Sequence, residues 1–263
     1  MSETSGKSET RIFALSDIHV DFDANARWVA GLSRSDYRRD ILILAGDVSD
    51  SLERMEACFT ALAGCFRQVY FVPGNHDLWV GRDSAPMTSL DKFVAVNALA
   101  HACGVSTSAG LIEDVAIVPL LGWYDYSFGV PDPQLADLWM DFRACRWPEG
   151  WYERQITEHF IGSNVLPALG PARLTISFSH FLPRIDVMPD FIPAVHRKIY
   201  PLLGTDRLDR LVRSLGADIH VYGHSHINRD VCIDGVRYIN NAFAYPHEER
   251  IAAKALRCIA RIG

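Results

Sequence analysis

Short apolar runs that alternate with amphipathic segments constrain the fold of this chain more than any other feature. Six runs are rich in Val, Ile and Phe and nearly free of polar residues, as buried strands are; they cover residues 12–16, 41–45, 69–72, 115–121, 174–178 and 219–222. Helical patterns occupy residues 24–32, 52–65, 87–103 and 206–215. Strands and helices that alternate in this way predict a layered α/β fold.

Length and composition predict one large globular domain or two small ones, and the candidate ligands described below favour one domain, because they run from Asp17 to His226 and must meet in space. The chain has 263 residues, 49% of them hydrophobic and 22% charged, and its six cysteines are too widely spaced for a disulfide scaffold. We expect a disordered tail over residues 1–10 and one domain over residues 11–263. Because the sequence shows neither a signal peptide nor an apolar run of about 20 residues, we expect a cytoplasmic protein that does not enter membranes.

The net charge of −6 restricts the partners of the protein. An acidic surface does not attract nucleic acid or anionic lipid over a distance, so neither is expected as a partner. An acidic substrate must therefore be attracted locally, by a few Arg or Lys side chains or by a bound metal.

Chemically active side chains follow five of the predicted strands directly. In an α/β sheet such residues converge, because ligand sites form at the carboxyl ends of the strands. Their carboxylate, amide and imidazole groups suit Mn, Fe or Zn, and they are more numerous than one ion requires. We therefore expect two ions that share one carboxylate. The candidates are Asp17, His19, Asp47, Asn75, His76, Asp77, His180, His224 and His226.

A two-metal site has a specific chemical use. It can generate hydroxide at neutral pH and stabilise the attacking and leaving oxygens of a phosphoryl displacement. The positive charge of the ions would also attract a phosphate ester to an otherwise acidic protein.

The ordered motifs DxH, GD, GNHD, H and GHxH resemble those of the calcineurin-like metallophosphoesterase superfamily, from Asp17 to His226. The resemblance implies a four-layer αββα sandwich of two mixed β-sheets flanked by helices. It also implies a role for each motif residue. Asp17, His19 and His226 would hold one ion, Asn75, His180 and His224 the other, and Asp47 would bridge them; His76 would protonate or stabilise the leaving oxygen, oriented by Asp17 or Asp77.

The sequence departs from the serine/threonine protein phosphatase branch of that superfamily. In that branch arginines follow the second and third motifs and clamp phosphate. Here GDVSDS has no arginine, and GNHD continues with Leu78 and Trp79. We therefore do not expect a protein phosphatase, and we name Arg82, Arg143 and Arg184 as candidate phosphate contacts.

Aromatic residues are concentrated between residues 123 and 152, where nine occur in thirty positions. Three prolines accompany them, so we expect a loop-and-helix insertion at about residues 123–170. One interpretation is a satellite hydrophobic cluster beneath a long loop. The other is a wall beside the metal site that contacts an apolar leaving group; its candidate substrate contacts are Trp79, Trp123, Trp139 and Trp147.

A second DxH pattern serves as an internal control. Asp218 and His220 have the same spacing as Asp17 and His19, but they lie at the start and inside of a predicted strand. Because alternate residues of a strand point into the packed layers, His220 is expected to have a structural role.

These observations favour a metal-dependent phosphatase that hydrolyses a phosphomonoester of a small, apolar organic molecule by direct attack of metal-bound hydroxide. One alternative is a phosphodiesterase that acts on cyclic nucleotides or nucleic acid, since it would use the same metal site. The other is a catalytically silent binding scaffold, which would be expected to lose ligands. None of the expected ligands is missing here.

Overall fold

A computed structural model describes residues 9–82, 86–166, 170 and 172–263. Residues 1–8 of the expected tail lie outside the described residues, and Thr10 already belongs to the first strand. The described strands are β1 (Thr10–Leu15), β2 (Ile41–Ala45), β3 (Gln68–Val72), β4 (Val105–Ser106), β5 (Gly110–Ile112), β6 (Val115–Pro119), β7 (Leu174–Phe178), β8 (Ile219–Tyr222), β9 (Arg229–Ile233), β10 (Val236–Asn240) and β11 (Arg257–Ile262). The described α-helices are α1 (Asp23–Ala30), α2 (Leu52–Cys65), α3 (Ser89–Ala102), α4 (Leu135–Leu138), α5 (Asp141–Ala144), α6 (Glu153–Gly162) and α7 (Asp206–Ser214).

The strands form two mixed sheets. The first has the order β11-β1-β2-β3-β4, in which only the β11–β1 pair is antiparallel. The second has the order β5-β6-β7-β8-β10-β9, with parallel pairing from β6 to β10 and an antiparallel strand at each edge. Most of the central strands therefore end at the same side of the molecule.

Three hydrophobic layers hold the sheets and helices together. Side chains such as Ile43, Ile117 and Val221 fill the space between the two sheets. The opposite face of the first sheet packs against α1, α2 and α3, and that of the second against α6, α7 and the aromatic-rich segment. This arrangement confirms the predicted sandwich of two mixed sheets flanked by helices.

All six predicted strands occur, but five further strands were not expected. Of these, β4 and β5 are only two and three residues long, and β9 alternates between half-buried and exposed residues. Such strands lack the continuous apolar run that marks a strand buried on both faces. Among the described residues, no helix is long and apolar enough to cross a membrane.

The aromatic-rich segment lies between β6 and β7 and contains α4, α5 and α6. It is fastened to the loop that follows β3, where the Val80 amide donates to the Ala144 carbonyl (2.8 Å). The segment is thereby placed beside the carboxyl ends of the strands, where the candidate ligands converge.

Candidate metal centre

The loops that follow β1, β2, β7 and β8 meet at one edge of the sandwich and bond to one another. The Asp17 amide donates to the Gly46 carbonyl (2.9 Å), and the His19 amide donates to the Asp47 carbonyl (3.0 Å). The His224 amide donates to an oxygen of Asp17 (2.9 Å), which joins the two sheets. Residues 207 positions apart in the sequence are thus direct neighbours.

Five of the predicted ligands have left-handed backbone conformations, which non-glycine residues adopt only rarely. Such conformations persist where the surrounding structure enforces them, and they are concentrated at functional sites. The residues and their φ angles are Asp17 (51°), His19 (40°), Asp47 (56°), His224 (67°) and His226 (55°).

Two glycines let the loops approach the ligands closely. Gly46 has a φ of 82°, and a Cβ there would lie 2.5 Å from Nδ1 of His180. A Cβ at Gly74 would collide with the Asp47 carboxylate and lie 2.7 Å from the His180 ring. The turns that aim the ligands therefore also require residues without side chains.

The first candidate group consists of Asp17, His19, Asp47 and His226, whose potential ligand atoms all lie within 4.8 Å of one another. The Nε2 atoms of His19 and His226 are 3.1 Å apart, and Nε2 of His226 is 3.4 Å from an oxygen of Asp17. Asp47 also belongs to a second group with His180 and His224, so its carboxylate is shared, as the sequence predicts.

In the second group, hydrogen-bond acceptors face one another. Nδ1 of His180 lies 3.0 Å from the Ala45 carbonyl, and Nε2 of His224 lies 3.1 Å from the Leu202 carbonyl. Since carbonyls only accept, both nitrogens carry protons, and the other ring nitrogens carry lone pairs. Those two nitrogens are 3.0 Å apart, and Oδ1 of Asn75 lies 3.0 Å from Nε2 of His180. Three lone pairs thus converge on a point that a cation would stabilise.

The spacing of these atoms fits a metal ion. Nitrogen and oxygen ligands lie about 2.0–2.2 Å from such an ion, so neighbouring ligand atoms are separated by about 3.0–3.5 Å at octahedral or tetrahedral angles. Five contacts in the two groups, from 3.0 to 3.5 Å, fall in this range, and the contact between Nε2 of His19 and an oxygen of Asp47 is longer, at 3.9 Å. The residues present therefore fit two metal ions.

Buried imidazoles at the site are held neutral, with one exception. Burial lowers the pKa of His180 to about 3 and that of His224 to about 4, which leaves both free to bind metal at neutral pH. Burial would also lower the pKa of His226, but Asp17 and Glu248 outweigh it and raise that pKa to about 9. A metal ion must therefore displace a proton from His226.

The buried Asp47 carboxylate lies among other negative charges. Burial, together with the negative charges of Asp17 and Asp77, raises the pKa of Asp47 well above its usual range. A bound cation would offset this repulsion and keep Asp47 ionised.

The Asp77 side chain accepts hydrogen bonds from the backbone of two loops beside the site. Both of its oxygens accept backbone amides, from Asp47 (2.9 Å), Val48 (2.7 Å), Ser49 (3.0 Å) and Gly74 (2.8 Å). Its carboxylate therefore fixes the loops after β2 and β3, and the orientation of His76 by Asp17 or Asp77 stays a prediction.

His76 stands at the mouth of the site and is held by its neighbours. Its ring stacks on Trp79 with the ring centres 3.7 Å apart, and its Nε2 lies 3.9 Å from an oxygen of Asp47. Its amide donates to the other oxygen of Asp47 (3.0 Å). The ring is thus beside the two candidate groups without belonging to either.

A cleft of about 350 Å³ opens above both groups. Trp79 and Trp139 line it, together with Leu138, Met140, Ile199 and Tyr245, and their contact with substrate stays a prediction. None of the described residues that line the cleft is Arg or Lys.

The other two tryptophans predicted to contact substrate lie in a hydrophobic cluster. Trp123 is 1% exposed and packs against Phe181, with ring centres 4.9 Å apart. Trp147 packs edge-on against Trp123 at 5.1 Å, in the same cluster. Neither belongs to the described lining of the cleft. The tryptophans of the aromatic segment therefore differ in their surroundings. Trp139 lines the cleft, whereas Trp123 and Trp147 belong to a hydrophobic cluster.

The three predicted arginine contacts lie in ion pairs or backbone contacts outside the described lining of the cleft. Arg82 pairs with Asp50 (3.3 Å) and is 76% exposed, and Arg143 donates to the Asp137 carbonyl. Arg184 pairs with Asp186 (2.6 Å) and with two further aspartates. Carboxylates and a carbonyl hold these groups, and their contact with phosphate stays a prediction.

Three residues of the site were not found from the sequence. Glu248 accepts a hydrogen bond from Nδ1 of His226 (2.7 Å) and another from the Tyr245 amide (3.0 Å). The Tyr245 ring lies over His19 and His226, with ring centres 4.6 and 4.8 Å apart. The third is Asp141, a buried carboxylate that donors surround. No motif marks these residues, which come from the segment after β10 and from α5.

Comparisons with known proteins agree with this geometry. A family model described as calcineurin-like phosphoesterase matches residues 10–228. The acyl-carrier-protein phosphodiesterase PptH of Mycobacterium tuberculosis is 27% identical over 276 residues, which cover 94% of this chain and 82% of that protein.

Two solved structures are also similar. The crystal structure of phosphopantetheinyl hydrolase (PptH) from Mycobacterium tuberculosis superposes with a TM-score of 0.75 at 24% identity, covering 95% of this chain and 96% of the other. A purple acid phosphatase from yellow lupin seeds has a TM-score of 0.45 at 12% identity, with 89% of this chain and 44% of the other covered.

Proposed function

The chain belongs to the calcineurin-like phosphoesterase family, and from this premise we propose that it is a phosphodiesterase that removes a phosphopantetheinyl arm from an acyl-carrier protein. It is a metal-dependent phosphoric ester hydrolase. The proposed reaction adds water to the phosphodiester between the arm and a carrier serine. The products are the free serine hydroxyl and phosphopantetheine. The similarity to PptH supports this choice of substrate.

One observation carries the proposal: an apolar wall and both candidate metal groups lie in the same cleft. A phosphopantetheinyl arm is long and uncharged apart from its phosphate, so Trp79, Trp139 and Met140 suit it better than charged side chains would. A phosphodiester also carries one negative charge where a monoester carries two. A cleft without Arg or Lys among its described lining residues suits the smaller charge.

We assign the two ions to the ligands that the resemblance implies. Asp17, His19 and His226 would hold one, Asn75, His180 and His224 would hold the other, and Asp47 would contribute to both. When bound, Mn, Fe or Zn ions supply positive charge for the phosphate oxygens and lower the pKa of water at the site. His76 would stabilise the leaving oxygen by a hydrogen bond from its neutral ring, and its stacking on Trp79 fixes the plane of that ring.

A second candidate is the hydrolysis of a phosphomonoester of a small apolar molecule. The indole rings of Trp79 and Trp139 favour it, because they would also contact a compact apolar leaving group. The metal groups and His76 would have the same roles.

Mass spectrometry of a carrier protein tests the choice between them. The enzyme, supplied with Mn²⁺, is incubated with a phosphopantetheinylated carrier protein, with p-nitrophenyl phosphate, with bis-p-nitrophenyl phosphate and with a cyclic nucleotide. We expect the carrier to lose the mass of its arm and the diester to be hydrolysed faster than the monoester. Hydrolysis of the monoester or the cyclic nucleotide with no loss of the arm would overturn the proposal.

A further inference from the structure

A carboxylate in the aromatic-rich segment collects four hydrogen bonds. Asp141, the first residue of α5, is 3% exposed. Its Oδ1 accepts from Nδ2 of Asn75 (2.8 Å) and from Nε1 of Trp79 (2.7 Å). Its Oδ2 accepts from Nε1 of Trp139 (2.8 Å) and from the hydroxyl of Tyr124 (3.2 Å). A buried carboxylate is thus stabilised by neutral donors on both oxygens.

The contact with Asn75 determines which end of that amide faces the metal groups. A side-chain amide has one accepting and one donating end, and an ionised carboxylate only accepts. Asp141 therefore holds Nδ2 of Asn75 towards itself. Oδ1 of Asn75 is left 3.0 Å from Nε2 of His180, in the position of a metal ligand.

The contacts with the two indoles connect the same carboxylate to the wall of the cleft. Trp79, held through its ring nitrogen, stacks on His76 at 3.7 Å. Trp139, held in the same way, meets the ring of His224 edge-on, with ring centres 5.8 Å apart. One side chain on α5 therefore contacts a ligand and two rings that pack against site histidines.

We propose that Asp141 is a positioning residue, which aims the oxygen of Asn75 at the second metal ion and fixes Trp79 and Trp139 as the wall of the cleft. The aromatic segment and the metal site are then a single unit. This inference rests on the proposed function, because it presupposes that Asn75 binds metal.

Zinc titration of the full chain, followed by calorimetry, tests the inference. Asp141→Asn replaces one accepting oxygen by a donating nitrogen and removes the negative charge, so the hydrogen bond that orients Asn75 is weakened or lost. We expect the dissociation constant of the ion held by Asn75 to rise about 10–100-fold, as for other groups that orient metal ligands. The other ion should keep its affinity. Asp137→Asn removes an exposed carboxylate from the same segment and should bind both ions as the unchanged chain does.

A reciprocal exchange separates positioning from general destabilisation and serves where Asp141→Asn fails to fold. Asn75→Asp alone sets two carboxylates against each other and should weaken the same ion. Asn75→Asp combined with Asp141→Asn restores a donor opposite an acceptor and should recover part of the affinity.

The outcomes distinguish the two proposals. If the unchanged chain binds two ions and Asp141→Asn binds both as tightly, the positioning role is refuted. The positioning role is likewise refuted if the double variant, Asn75→Asp with Asp141→Asn, binds the second ion no more tightly than Asn75→Asp alone. If the unchanged chain binds no second ion, the proposed function fails as well.

Discussion

Removal of the Glu248 carboxylate should weaken metal binding, although Glu248 belongs to neither candidate metal group. Glu248 accepts from Nδ1 of His226 at 2.7 Å, and its side chain is 21% exposed. This bond fixes the ring so that Nε2 faces Asp17 and His19, and it makes that nitrogen a stronger ligand. Glu248 also accepts the Tyr245 amide, so its loss would loosen the loop beside the site.

The expected magnitude follows from this geometry. A hydrogen bond to a charged group contributes about 1.5–3 kcal/mol, and partial exposure places this one in the lower half of that range. Glu248→Ala should therefore raise the dissociation constant of the ion at His226 by about 10–40-fold, within the range of about 10–100-fold for groups that orient metal ligands elsewhere. Glu248→Gln retains an accepting oxygen without the charge and should show a smaller loss.

Isothermal titration of metal-free protein with Zn²⁺ measures this effect, and the neighbouring residue provides a matched control. Glu249 is exposed, so Glu249→Ala removes the same charge without a contact to His226. We expect Glu249→Ala to bind both ions as the unchanged protein does. Equal dissociation constants for Glu248→Ala and Glu249→Ala would refute the orienting role of Glu248.

Three further predictions concern other parts of the molecule. His76→Ala should retain both metal ions in elemental analysis but lower kcat by about 10²–10³-fold, because it removes a hydrogen-bond donor and no ligand; loss of metal would contradict this. Trp139→Ala should raise KM for the arm-bearing carrier and leave p-nitrophenyl phosphate turnover nearly unchanged, whereas equal losses on both would exclude a role in recognising the arm. His220 is buried between the hydroxyls of Ser177 and Ser179, and burial lowers its pKa to about 3. The unfolded chain takes up that proton from about pH 6.5 downwards, so stability is complete above pH 6.5 and falls by about 1.4 kcal/mol per pH unit below it. In His220→Gln, the free energy of unfolding measured in urea should fall less steeply as the pH is lowered below about 6.5. The same slope of unfolding free energy against pH in both proteins would contradict this.

The sequence was sufficient to predict the strands that are buried on both faces, and it also places the candidate ligands directly after them. Residues 41–45 and 174–178 were predicted with the bounds that the structure has. A continuous apolar run and the polar turn that ends it are both local, and parallel strands bring such turns to one edge. The layered α/β class follows from the same pattern, and the four-layer sandwich was implied by the family resemblance.

Residues that support the ligands could not be found in this way. Glu248 is 22 positions from the histidine that it contacts, and Asp141 is 66 positions from Asn75. Each is one acidic residue among several nearby, and only tertiary packing decides which of them meets a ligand. Asp137 and Glu249, close in sequence, are exposed.

The aromatic segment shows the same limit for residues of identical type. Composition identified the concentration of tryptophans but not the direction of each ring. Trp139 donates to Asp141 and lines the cleft, whereas Trp123, sixteen positions earlier, is buried against Phe181. The path of the loop over the second sheet separates them, and that path depends on contacts with distant parts of the chain.

Metal-dependent release of the arm is the most direct test of the proposed function. The protein is exhaustively chelated, its metal content is measured, and the mass of a phosphopantetheinylated carrier protein is followed as Mn²⁺ is returned. We expect no loss of the arm from the chelated protein and recovery of activity as two ions bind per chain. Full release of the arm by protein without metal would contradict the assignment of Asp17, Asp47, His180 and His226 as ligands that the reaction requires.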